Sequence, residues 1–68
     1  MKRVIRSCVT GKYLDSNWRW TANIRRAQNF GSFQQAQETS KRLQLQGVEL
    51  YCFSEGVQNT LNNVLHLE

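Results

Sequence analysis

Proline is absent from this chain, histidine occurs once, cysteine twice, and beyond Arg42 there is no basic residue. Each shortage removes a class of explanation. Without proline or a Gly/Ser-rich linker nothing marks a second domain, and 68 residues hold one core at most. A core of that size rarely supplies more than about 3–5 kcal/mol. Cys8, Cys52 and His66 are far apart and form no CxxC or HxxxH pair, so neither a metal nor any other cofactor is expected. The longest apolar runs are three or four residues, against ~20 for a bilayer span. No long apolar run follows the basic start Lys2-Arg3, as an export signal would require. The expectation is a soluble, cytoplasmic protein with no membrane partner. Both thiols should be reduced, as small buried strand residues.

Catalytic groupings are missing as well. The carboxylates Asp15, Glu38, Glu49 and Glu55 have no spacing that would pair them, His66 stands in a terminal segment, and no Gly-rich loop opens a helix. The chain is therefore expected not to be an enzyme.

What is present is charge, unevenly placed. Residues 1–42 hold all nine Lys and Arg against Asp15 and Glu38, whereas residues 43–68 hold Glu49, Glu55 and Glu68. The overall +4 is thus +7 followed by −3. The basic residues interleave with Tyr13, Trp18 and Trp20, the composition of a surface that meets a polyanion.

Four glycines and short polar clusters punctuate the rest. Residues 3–9 are rich in β-branched side chains, Val4, Ile5 and Val9, and read as a strand. A turn at Thr10-Gly11 leads to a short strand, Lys12 to Leu14, and Asp15-Ser16-Asn17 turns into a third over residues 18–21. Asn23 caps a single helical turn through Ile24 and Ala27. Ser32 and Gln35 form a capping box for a helix that Gly47 is expected to stop, with Phe33, Ala36, Ser40 and Leu43 as its apolar stripe. On its wet face Glu38 and Arg42 make an i, i+4 pair. Residues 48–53 alternate Val48, Leu50 and Cys52 with Glu49, Tyr51 and Phe53, the pattern of a strand. In the tail, Val57, Leu61, Val64 and Leu65 fall at i, i+4, i+7 and i+8, the spacing of an amphipathic helix.

Thr10-Gly11-Lys12-Tyr13-Leu14, Trp20-Thr21, Asn23-Ile24, Ala27, Phe30, Ser32 and Ala36 together resemble a pattern of small uncharacterised phage and prophage proteins, over about residues 3–53. The resemblance implies a small β-meander with a helix and implies no activity. This chain departs from it at Trp18 and in the tail after Gly56, so a function specific to it is expected there.

The expected fold is α+β: an antiparallel meander with one helix on a sheet face, order ββ(β)αβ, over residues 1–56, followed by an amphipathic, helical segment over 57–68. The expected core is Val4 or Ile5, then Cys8, Tyr13, Trp20, Ile24, Ala27, Phe30, Phe33, Ala36, Leu43, Val48 and Leu50. Trp18 is placed at the rim, where it can stack a base or cover the sheet edge. Two functional readings stand. In the first, a non-catalytic, phage-type accessory module contacts nucleic acid through Lys12, Arg19, Arg25, Arg26 and Trp18. In the alternative, Val57, Leu61, Val64 and Leu65 form an interface with a second copy or a host protein.

Overall fold

A computed structural model of the chain describes residues 2–53 and 63–66. Five strands and one helix make the α+β fold: β1 (Lys2–Ser7), β2 (Tyr13–Leu14), β3 (Trp20–Thr21), a 3₁₀ turn (Ile24–Arg26), α1 (Phe33–Arg42), β4 (Val48–Phe53) and β5 (Asn63–His66). All neighbouring strands are antiparallel, in the order β3-β2-β1-β4-β5. The centre is β1 against β4, paired from Lys2↔Phe53 to Ser7↔Val48.

Strand alternation then sorts the side chains. Ile5, Val48, Leu50 and Cys52 lie under α1 with Leu14, Phe30 and Ala36, and Phe33, Leu43 and Leu45 close the margins. Ala36 is fully buried, which lets the helix lie close to the sheet, and Thr39 and Ser40 are buried beside it. On the opposite face Val4 is buried too, so both Val4 and Ile5 belong to the interior rather than one of them.

The ends of α1 follow local chemistry. Ser32 Oγ accepts from Gln35 N–H, while Gln35 Oε1 reaches back to the amide of Gly31, one residue beyond the usual capping box. The stop is not Gly47. Gln44 takes the left-handed conformation at φ 55°, its N–H donates to Lys41 O, and Leu45 N–H donates to Ser40 O, which is the Schellman pattern. Gly47, also left-handed, instead turns the chain into β4 and accepts from Cys8 N–H.

Several expectations are corrected. β1 ends at Ser7 because Ser7 Oγ accepts the amides of Val9 and Thr10, curling the chain out of the ladder. Cys8 is therefore exposed, whereas Cys52 is buried opposite Arg3, and the two are not joined in a disulfide. Trp20 is 41 % exposed, because α1 packs on β1 and β4 and does not extend over the two-residue edge strand β3. Leu14, its cross-strand neighbour, carries the burial instead. Tyr13, Ile24, Phe33 and Leu43 are half-buried.

In the tail, residues 63–66 form a strand and not a helical stripe: Leu65 pairs with Leu50 and Val64 with Tyr51. Val57 and Leu61 lie outside the described residues. No helix among the described residues is long and apolar enough to cross a membrane.

Two stability measurements check this assignment. Leu14→Ala is expected to cost about 2–5 kcal/mol in urea unfolding, most of what such a domain has, while Trp20→Ala costs under about 1 kcal/mol. The reverse order would contradict it. Gln44→Gly relieves a left-handed side chain and is expected to raise stability by up to about 1 kcal/mol, read as an upward shift of the thermal midpoint.

Candidate nucleic-acid interface

Nine Lys and Arg stand among residues 2–53, and their carboxylate counterparts there are Asp15, Glu38 and Glu49. Two of those three acids are committed to the fold. Glu49 Oε1 accepts from Arg6 Nε at 3.1 Å and Nη2 at 3.0 Å, on the sheet face away from α1. Arg6 also lies 4.6 Å from the centre of the Tyr51 ring, and Tyr51 stands 6.4 Å from Tyr13. The cause is register: Tyr13, Arg6 and Glu49 are directly opposite one another on β2, β1 and β4, so one cross-strand row closes the face that has no helix. Burial lowers the pKa of Arg6, but hydrogen bonding and charge attraction from Glu49, and to a lesser extent from Tyr13, outweigh it and raise the pKa above its ordinary value. Arg6 therefore stays cationic and structural.

Asp15 is used by a turn. Its Oδ1 accepts the amides of Asn17 and Arg19, both at 2.9 Å, while Trp18 N–H donates to Asp15 O and Asp15 N–H donates to Arg19 O. This is a three-residue hairpin in which the left-handed residue closing the turn is ordinarily Gly or Asn. Here it is Trp18, at φ 59°.

Lys2 and Arg3 are tied to the backbone. Lys2 Nζ donates to Ile24 O at 3.2 Å and Arg3 Nη1 to Gly31 O at 3.3 Å. Next to them, Asn29 and Phe30 continue the edge that the short β2 leaves open: Asn29 Oδ1 accepts from Arg3 N–H, and Phe30 N–H donates to Arg3 O.

Of the six others, Lys41 and Arg42 stand in the last turn of α1, and Lys12, Arg19, Arg25 and Arg26 are the sequence candidates. All four are exposed, and among the described residues their side chains make no hydrogen bond or ion pair. The structure distributes them over three loops around β2: Lys12 in the β1–β2 hairpin, Arg19 in the β2–β3 turn, Arg25 and Arg26 in the 3₁₀ turn. That turn forms because Asn23 Oδ1 accepts from Arg25 N–H. The chain then returns to β2 through the Asp15↔Ala27 bridge and the bond from Gln28 N–H to Leu14 O.

Trp18 is the fifth sequence candidate and the best defined. Its indole stacks on buried Phe30, with centroids 6.3 Å apart and planes 12° apart, yet remains 41 % exposed. Beside it opens a groove of about 340 Å³ between the β2–β3 turn and α1, into which Gln28, Gln35, Thr39 and Arg42 also look. Sequence reasoning missed Arg42, which reads as half of a solvated i, i+4 pair. In the structure Glu38 Oε1 accepts from Gln34 Nε2 at 3.3 Å. The sequence signal that was available is a tryptophan where an Asp-Ser-Asn turn calls for glycine.

Val64 and Leu65, half of the alternative interface, are placed in the β5 ladder. Among the described residues no group of three or more His, Cys, Asp or Glu is arranged to hold a metal ion. Compared with known proteins, the chain matches no protein-family model, no curated protein and no solved structure.

The two kinds of acid separate experimentally. Glu49→Gln removes the charge that Arg6 is bonded to and is expected to cost about 1–3 kcal/mol in urea unfolding. Glu38→Gln, on the exposed helix face, should stay within about 0.5 kcal/mol of the parent. Equal effects would show that Arg6–Glu49 does not hold the helix-free face.

Proposed function

We propose that the protein is a non-catalytic module that contacts nucleic acid through Lys12, Arg19, Arg25 and Arg26, with Trp18 beside them. The observation that carries this reading is the allocation of charge. The fold consumes Arg6, Glu49 and Asp15 internally and leaves four cations exposed around β2 with no carboxylate partner among the described residues. A surface of this kind attracts a polyphosphate backbone by releasing its counterions, and it does so without reading sequence. The resemblance to small phage and prophage proteins suits an accessory role of that sort.

Salt dependence is the direct test. Neutralising about four phosphates should give a log-log slope of affinity against salt of roughly −3 to −4 on duplex DNA. Replacing Lys12, Arg19, Arg25 and Arg26 together by Gln should abolish most of that slope while leaving the thermal midpoint nearly unchanged. Absence of a complex with single- or double-stranded nucleic acid at low salt and high micromolar protein would overturn the reading.

A further inference from the structure

We infer that the groove between the β2–β3 turn and α1 takes one nucleotide of a single strand, its base stacked on the exposed Trp18 indole and its phosphate on Arg42. This rests on the nucleic-acid reading above and adds to it which strand form is bound and where.

Backbone conformation is the first reason. The hairpin closes with a left-handed residue, which Gly supplies at no cost and a bulky side chain adopts only against steric strain. Strain of this type persists when the surroundings hold it in place, and it recurs at ligand sites. Core packing does not explain the choice of Trp. Phe30 is already buried beneath the ring, and 41 % of Trp18 remains in solvent. The stack on Phe30 fixes the indole plane, leaving a rigid aromatic surface at a groove mouth.

Size and chemistry are the second. At about 340 Å³ the groove lies at the small end of ligand clefts, which run from about 300 to 1,000 Å³, suiting a base and sugar rather than a helix. Two amides in its wall have one group each committed. Gln28 Nε2 donates to Asn29 O and Gln35 Oε1 accepts from Gly31 N–H, which leaves Gln28 Oε1 as an acceptor and Gln35 Nε2 as a donor. Together they match the mixed donor and acceptor edge of a base. Arg42, in the last turn of α1, makes no ion pair among the described residues. Glu38 lines the same groove one turn earlier, so its negative charge directs a phosphate toward the Arg42 end. Bases in a duplex are stacked on one another and unavailable to an indole, whereas those of a single strand can splay out onto one.

Trp18 is isolated as the only indole in a Trp20→Phe protein, and its fluorescence is followed during titration with a short oligodeoxyadenylate, the matching duplex, and inorganic polyphosphate, a polyanion without bases. The single strand should quench Trp18 and bind more tightly than the duplex, while polyphosphate binds without quenching. By anisotropy of a labelled oligonucleotide, Trp18→Gly, which suits the left-handed turn, should lower single-strand affinity about tenfold or more. Arg42→Gln, on an exposed helix position, should lower it several-fold with the fold intact by circular dichroism, and keeps the test open if Trp18→Gly unfolds. Salt-dependent binding with no Trp18 quenching, equal affinity for duplex and single strand, and no effect of Arg42→Gln would overturn the groove assignment while leaving the basic surface standing. Failure of every polyanion to bind would remove both.

Discussion

The pairing of β1 with β4 is the constraint on which the rest of the fold depends. It joins segments about forty residues apart and aligns two six-residue strands without interruption, so it decides which residues α1 covers and which it leaves. Ile5 against Leu50 and Ser7 against Val48 lie under the helix; Arg6 against Glu49 and Val4 against Tyr51 lie on the other side. With a single helix among the described residues, only one face of the sheet is closed by apolar packing there. The other is closed by a charged pair laid over tyrosines, an arrangement that depends on both charges being satisfied. No buried polar side-chain atom among the described residues lacks a partner.

That division of labour separates structural from available charge. Arg6 is drawn inward because it shares a row with Glu49, and Lys2 and Arg3 are held by backbone carbonyls. The edge strand β3 lies beyond the reach of α1, and the cations and tryptophans of the loops around β2 stay at the surface. One limit of the fold, a helix too short to cover the whole sheet, therefore produces both the exposed charge and the groove beside Trp18.

Where a local bond decides the structure, the sequence was legible. Ser32 with Gln35, Asn23 at the 3₁₀ turn and the alternation of residues 48–53 all appear as read. Where a tertiary boundary decides, it was not. Trp20 reads as core and Leu14 does not, and the reach of α1 reverses the two. Gln44 rather than Gly47 ends the helix because Leu45 packs against the core, and that contact selects the position of the left-handed residue. Val64 and Leu65 suit a helix by spacing and a strand by composition, and the free edge of β4 selects the strand. Among the interface candidates Lys12, Arg19, Arg25, Arg26 and Trp18 were all legible as residue types. The company of Trp18 with Phe30 and Arg42 was not, because it depends on how the turn meets the helix.

The central claim is that charge left over by the fold, gathered around β2, forms a nucleic-acid surface. Amide and side-chain NMR shifts on addition of a single-stranded oligonucleotide test it residue by residue. The account predicts changes at Lys12, Arg19, Arg25, Arg26, the Trp18 indole and Arg42, with the Arg6 side chain and β4 unmoved. Changes confined to the Tyr13–Arg6–Tyr51 face or to the β5 edge would contradict it.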